Sequence, residues 1–301
     1  MRAEGPRRAG QREGKLTMTM TSRRPRNVTV DCLNCQARPG GLCSGSTPDM
    51  LRATAGYKLT DRIVRAGEDL FSQGEPCDAI YNLVDGWVVL YNLLEDGRRQ
   101  ILHFALPGAV LGFHPARGAA PTFSAQALTD ATVCIIPHSA LAPLSREYPD
   151  IALQLAWLIS RDRALAFDHL SSIGRHTARE RVAHLLLELF VRYRAQWPGH
   201  RITDMHLPLT QEHVGDATGL TFVHVNRVLR DLRKEGIVEF HYRRLRILDP
   251  DKLVDVAGVD PHLAFSWVQD RLSPAGAHTR VPRGGVVVPL TGRKDCARAW
   301  G

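Results

Sequence analysis

"PLTQEHVGDATGLTFVHVNRVLRDLRKEGIV", residues 208–238, is the stretch on which the reading of this chain turns. Thr210 can cap a short helix that carries Val214 and Ala217 on its apolar side. Gly219 supplies a tight turn. Thr221 can cap a second helix with Val225, Val228, Leu229 and Leu232 on one face, and Gly236 stops it. A short helix, a glycine turn and a longer helix make the helix-turn-helix plan.

The residues that follow, "IVEFHYRRLRILD", read as two short strands about Tyr242-Arg243, a wing. From Thr221 to Arg246 there are seven Lys/Arg against three Asp/Glu, a local excess of four positive charges. A solvated helix face in a protein–protein module is the competing reading, but cap, turn, charge and wing together favour DNA. In such modules the first residues of the second helix face base edges. Here those are Phe222, Val223, Asn226 and Arg227, with Thr221, His224 and Arg230 beside them. Arg227 can grip guanine O6 and N7 bidentately, worth about 1–3 kcal/mol of discrimination. Asn226 can pair with adenine or bind phosphate, and Val223 offers only apolar contact. Arg243 and Arg244 on the wing are placed to meet phosphates, which adds affinity rather than sequence choice.

Working outward, the chain has 301 residues, 44% hydrophobic content and a net charge of +8. That length suits about two domains, and the charge suits a polyanionic partner. No apolar run approaches the ~18 residues of a membrane span. The Arg-rich start lacks the apolar segment of a signal peptide. Six sparse cysteines fit a reducing cytoplasmic setting better than a disulfide framework. Residues 1–30 and 258–301 read as disordered, basic or loop-like, with Met18 or Met20 as alternative starts. From 51 to 145, short β-branched runs alternate with regularly spaced glycines, and Asp85-Gly86 and Asp96-Gly97 are hairpin signals. This texture argues for a compact antiparallel roll. Residues 146–174 form a long helical pattern that Gly174 ends. Leu155, Ile159, Asp162, Ala166, Leu170 and Ile173 lie along its seam, which either packs on its own domain or, the favoured reading, pairs with a second copy. Thr177 and Glu180 then open another helix as a capping box, inside a domain spanning 175–257. The fold class is therefore α+β. No nucleophile–base motif or phosphate loop marks an enzyme.

One stretch stands outside this pattern: "DCLNCQARPGGLC", 31–43, within a cysteine-rich loop over 31–50. Its thiols can be a metal site, a disulfide or an accident of composition. C-x2-C with one further Cys suits zinc and iron–sulfur chemistry about equally.

The order roll, long helix, winged helix-turn-helix resembles the Crp/Fnr superfamily of bacterial transcription regulators over roughly 31–257. The glycine-punctuated roll resembles the cyclic-nucleotide-binding fold, and "GLTFVHVNRVLRDLRKEGIV" resembles the superfamily's recognition helix. The resemblance implies a homodimer joined along 146–173 and bound to a palindromic DNA site, with RNA polymerase as a further partner. The loop "LLEDGRR" (93–99) could touch polymerase as related surfaces do, but a solvated hairpin tip is the safer reading. The cyclic-nucleotide branch carries Gly-Glu and then Arg-Ser around the phosphate. Here Phe113 stands where the glutamate would be, and Thr122-Phe123 replaces Arg-Ser. An anionic cyclic phosphate would lose its charged partners.

The same stretch looks instead like the FNR branch of oxygen-sensing iron–sulfur regulators. That branch has three N-terminal cysteines and a fourth at the end of the roll before an "IP" step. The resemblance therefore implies Cys32, Cys35, Cys43 and Cys134 as ligands of a 4Fe–4S cluster, with zinc as the alternative. Cys77 is expected to be a non-ligand and Cys296 a free tail thiol. His103, His114 and His138 raise a haem alternative in which the cysteine loop has no role. One departure bears on specificity. The branch usually has glutamate where Val223 stands and serine where Asn226 stands, so an altered half-site is expected.

Overall fold

The computed structural model describes residues 26–114, 120–196, 204–260 and 267. The remaining residues, Cys296 among them, lie outside the described residues.

The N-terminal half is a roll of two antiparallel sheets. Its strands are β1 (Arg26–Val28), β2 (Thr60–Val64), β3 (Asp69–Phe71), β4 (Ala79–Asp85), β5 (Val88–Leu93), β6 (Arg99–Ala105), β7 (Val110–Leu111), β8 (Ser124–Ala127) and β9 (Ala131–Pro137). One sheet runs β1-β2-β9-β4-β7 and the other β3-β8-β5-β6. Leu70, Leu83, Val88, Leu111 and Val133 fill the space between them. Side chains alternate across each strand, so each sheet turns one apolar face inward.

Two expectations need correction here. Asp96-Gly97 does turn a hairpin, between the paired strands β5 and β6. Asp85-Gly86 does not: β4 and β5 belong to different sheets, and the chain crosses between them at this point. Gly86 is needed because a Cβ there would lie 2.5 Å from the Asp130 carbonyl oxygen. The arm expected to be disordered to residue 30 ends in a strand, since β1 pairs with β2.

A first helix, α1 (Pro48–Tyr57), precedes the roll and was not anticipated. Its start is legible in hindsight: Thr47 accepts from the Met50 N–H, Pro48 occupies the first turn and Asp49 follows. After the roll, α2 (His138–Glu147) ends at Tyr148, and α3 (Pro149–Arg175) begins on a proline. The expected single helix from 146 is thus broken at Tyr148. It also passes through Gly174 and ends one residue later, at Arg175, with His176 as its C-cap. What stops it is the next helix, α4 (Ala178–Gln196), whose capping box claims Thr177 and Glu180.

In α4 every described residue from Val182 to Arg192 is buried. It packs against the roll through Trp87, Val89, Ile101 and Phe104 and against the remaining helices on its other side. Those are α5 (Gln211–Thr218), α6 (Phe222–Lys234) and α7 (Pro250–Ala257). β11 (Val238–His241) and β12 (Arg244–Ile247) form the expected wing, and β10 (Asp204–His206) adds a third strand beside β12. Trp267, in the stretch expected to be a mostly disordered tail, is 4% exposed and donates its indole N–H to Asp168 at 3.0 Å.

Candidate DNA interface and cysteine pocket

The helix-turn-helix forms as its caps dictate. Thr210 accepts from the His213 N–H and Thr221 from the His224 N–H, while Gly219 sits at φ 69° in the left-handed region. Gly215 was not singled out by sequence, yet the motif depends on it. A Cβ there would meet the Leu220 carbonyl oxygen at 2.6 Å, so only glycine lets the turn fold back so tightly.

Helix α6 buries Val225, Val228, Leu229 and Leu232 and turns Thr221, Phe222, Val223, Asn226, Arg227 and Arg230 outward. Val223 is 75% exposed, and Arg227 has no side-chain partner among the described residues. His224 is half-buried at the edge of this face. The two wing arginines differ. Arg244 is held by Asp204 at 2.8 and 3.2 Å, whereas Arg243 is exposed and its guanidinium has no partner among the described residues. Tyr242 and Arg243 form the tip with φ of 48° and 61°.

The second site is a pocket lined by Cys32, Cys35, Cys43 and Cys134 together with Lys58, Arg38, Asn82 and Leu42. Cys134 lies on β9, the middle strand of its sheet, with Asp61 opposite on β2 and Asn82 opposite on β4. The other three come from the loop, which turns through a short 3-10 segment at Arg38–Gly40. The loop can approach this closely because glycine meets glycine: a Cβ at Gly108 would lie 2.8 Å from the Gly40 oxygen.

All four thiols are free, as is Cys77, so among the described residues there is no disulfide. Burial pushes the Cys43 thiol up to about 12, with Cys32 and Cys35 adding to the effect. Burial also raises Cys134, helped by Asp61, and raises Cys35. These groups become thiolates only if a cationic centre compensates. The donor set fits such a centre, because four cysteine sulfurs line the pocket with no carboxylate or imidazole among its lining residues. Among the described residues no three His, Cys, Asp or Glu side chains are set for a single metal ion.

The other candidates separate from this pocket. Cys77 is buried in the roll's core, with its thiol toward the Ala79 carbonyl. His114 and His138 stand edge to face at 6.3 Å, His114 beside Phe71 and Phe123. His103 lies at the roll–α4 junction, next to Arg192. The three histidines therefore do not converge. Phe123, where a nucleotide-binding roll would carry serine, packs its ring on Phe71 at 5.9 Å.

The loop also reaches the long helix. Gln154 of α3, 8% exposed, donates to the Gly41 carbonyl at 3.2 Å. Leu42, 2% exposed, joins an apolar cluster with Ile80, Ile136, Leu144, Ile151 and Leu158. Two residues adjacent to Cys43 in the chain thus hold α3.

The cyclic nucleotide-binding domain model matches residues 61–148, and the Crp-like helix-turn-helix domain model matches 180–256. The chain is 32% identical over 228 residues to the nitrogen fixation regulation protein FixK of Bradyrhizobium diazoefficiens, covering 75% of this chain and 93% of that protein. The chain belongs to the Crp/Fnr family. Crp/Fnr proteins are transcription regulators, not enzymes, and this one carries the family's DNA-binding helix-turn-helix. It is also 35% identical over 224 residues to the transcriptional activatory protein AadR of Rhodopseudomonas palustris, covering 73% of this chain and 90% of that protein. The solved structure of FixK2 from Bradyrhizobium japonicum matches with a TM-score of 0.60 at 32% identity, covering 67% of this chain and 98% of that one. As a Crp/Fnr chain it carries the expected roll and winged helix-turn-helix. No helix among the described residues is long and apolar enough to cross a membrane.

Proposed function

We propose that the protein is an oxygen-responsive regulator of the FNR-like branch that holds a 4Fe–4S cluster in the cysteine pocket. The observation carrying this reading is that Cys32, Cys35 and Cys43 of the loop and Cys134, distant in sequence, line one pocket whose wall also holds α3. Bound there, such a cluster supplies an oxygen-labile group tied to four thiolates. The chain's own residues relay its presence. Gly41 and Leu42 sit on α3, so the loop's position biases how that helix is presented.

The partner for that helix is a second copy. Ile159 and Leu170 are 40% and 66% exposed on α3, and Leu153, Trp157 and Phe167 extend the apolar surface. Leu155, Asp162 and Ile173 are half-buried beside this surface, and Ala166 is exposed within it. A homodimer of this kind presents two α6 helices to a palindromic operator, with half-sites about one turn apart, ~34 Å. RNA polymerase is the proposed third partner, at the hairpin tip where Leu93 and Leu94 are 56% and 43% exposed. The proposed location is the cytoplasm.

Anaerobic purification followed by an absorbance spectrum and iron and sulfide analysis tests this reading. A protein holding only zinc, or no metal, overturns it. Cys134→Ser is expected to abolish cluster retention and Cys77→Ser to leave it intact. The reverse result would overturn the ligand assignment.

A further inference from the structure

Two charged side chains beside the cysteine pocket have no role in the helix-turn-helix or in the sulfur set. Lys58 and Asp61 form an ion pair at 2.7 Å with side chains only 10% and 5% exposed. Buried charges of this kind are costly unless fully partnered, and here the partnering is complete. Lys58 has three N–H bonds to give. They reach Asp61 Oδ1 at 3.0 Å, Asp61 Oδ2 at 2.7 Å and the Val30 carbonyl at 3.4 Å. Asp61 in turn accepts the Val30 N–H at 2.8 Å. The pair thus grips both backbone groups of Val30, two positions before Cys32. Asp61 also stands directly across the β2–β9 ladder from Cys134. Lys58 lines the pocket among all four cysteines. The pair therefore touches both halves of the sulfur set, the loop half through Val30 and the strand half through Cys134.

A structural tether alone would not need charge, since a neutral hydrogen-bonding pair could hold Val30. A pocket that collects four thiolates does need it. Each thiolate adds negative charge to a buried space, and a fixed cation nearby lowers that cost. The remaining cation in the lining, Arg38, already donates to the Leu33 carbonyl at 3.1 Å within the loop itself.

We propose that Lys58 is the resident counter-charge of the four-sulfur site and that Asp61 both positions it and moderates its charge. The inference rests on the cluster reading above. A cation beside a redox centre favours the reduced form, and an anion disfavours it. The two residues therefore act on the reduction potential in opposite directions.

Spectroelectrochemical titration of the anaerobically reconstituted full-length protein tests this. Lys58→Met is expected to lower the potential and Asp61→Asn to raise it, with the double variant returning toward the starting value. Iron and sulfide content and the melting temperature of the metal-free protein are measured alongside, to separate charge effects from loosening of the loop. Lys58→Arg keeps the charge and is expected to stay near the unaltered potential. If Lys58→Met fails to fold, the sign of the Asp61→Asn shift against Lys58→Arg decides the question. Shifts in the same direction, or no shift at full cluster content, overturn the proposal and leave the cluster reading standing. An unaltered protein that takes up no iron and sulfide overturns both.

Discussion

Arg99 on the long hairpin of the roll holds Asp216 of the helix-turn-helix in an ion pair of 2.9 Å. Gln100 beside it reaches the Ala217 carbonyl at 3.4 Å. The DNA-reading unit is thus fastened to the roll at α5 as well as through the apolar face of α4. Both charged partners are about a quarter exposed, so the pair is screened and its contribution modest. A double-mutant cycle with Arg99→Ala and Asp216→Ala should give a coupling of about 0.5–1 kcal/mol in urea melts. Additive single effects would show that the pair contributes nothing.

Glu188 and Arg192 form a far more buried pair, at 2.8 Å and with side chains 7% and 9% exposed. Arg192 also donates to the Phe104 carbonyl at 2.8 Å, across the junction between α4 and the roll. Glu188→Ala leaves that guanidinium without its counter-ion and should cost about 3–5 kcal/mol of stability. Replacing both residues with apolar ones of similar size should cost much less. Equal losses in the two variants would contradict this account.

His213 fixes the sign of one pH effect. Burial, followed by the Arg99 charge, pushes it from its usual value down to about 4. In the unfolded chain it takes up a proton near 6.5. Between those values the unfolded state binds more protons, so stability falls as pH drops from about 6.5 toward about 4. His103, held neutral by burial and then by Arg192, acts in the same direction. His213→Gln keeps a capping-box residue at that position and should flatten the slope in urea melts across this range. An unchanged slope would assign the effect to the other histidines.

At the wing tip, two bulky residues occupy left-handed backbone, where Asn-Gly is the favoured pair. Such positions cost on the order of 1–3 kcal/mol each. Replacing Tyr242-Arg243 with Asn-Gly should therefore stabilise the protein by roughly 1 kcal/mol or more while weakening DNA binding. Loss of one phosphate contact should reduce the salt slope of binding by about 1. A stabilised variant with the same salt slope would remove Arg243 from the interface.

On α6, Arg227→Ala should lose about 1–3 kcal/mol at one base pair and relax specificity there. Site selection with the unaltered protein should return a half-site changed at the base facing Val223. Recovery of the unaltered half-site typical of the FNR-like branch would show that another residue reads that base.

The helix-turn-helix was legible because each of its signals is local. Thr210, Gly219, Thr221 and Gly236 act within a few residues of where they stand, as do Thr177 and Glu180. The wing turn at Tyr242-Arg243 was legible through its flanking strands alone. Asp85-Gly86 misled because the glycine answers to Asp130, on a distant segment, and not to its own turn. The Lys58–Asp61 pair was hidden for the same reason. In sequence it is an ordinary i,i+3 surface pair, and only the loop that folds over it makes it a buried one. Gly215 and Gly108 likewise show their purpose only when the opposing backbone is in place. The resemblance pointed to the four cysteines, and the fold gathers them in one pocket.

The sulfur set is unequal in its mounting. Cys134 stands on a strand flanked by neighbours on both sides, while Cys32, Cys35 and Cys43 hang from a tether that folds over it. On the proposed cluster reading, loss of the cluster frees the sulfurs of the loop and leaves the anchor where it was. The roll has no need to unravel and rebuild for the site to be filled again. On that proposed reading, such a mounting makes a resettable sensor, able to pass through many cycles of loss and repair on a single folded chain.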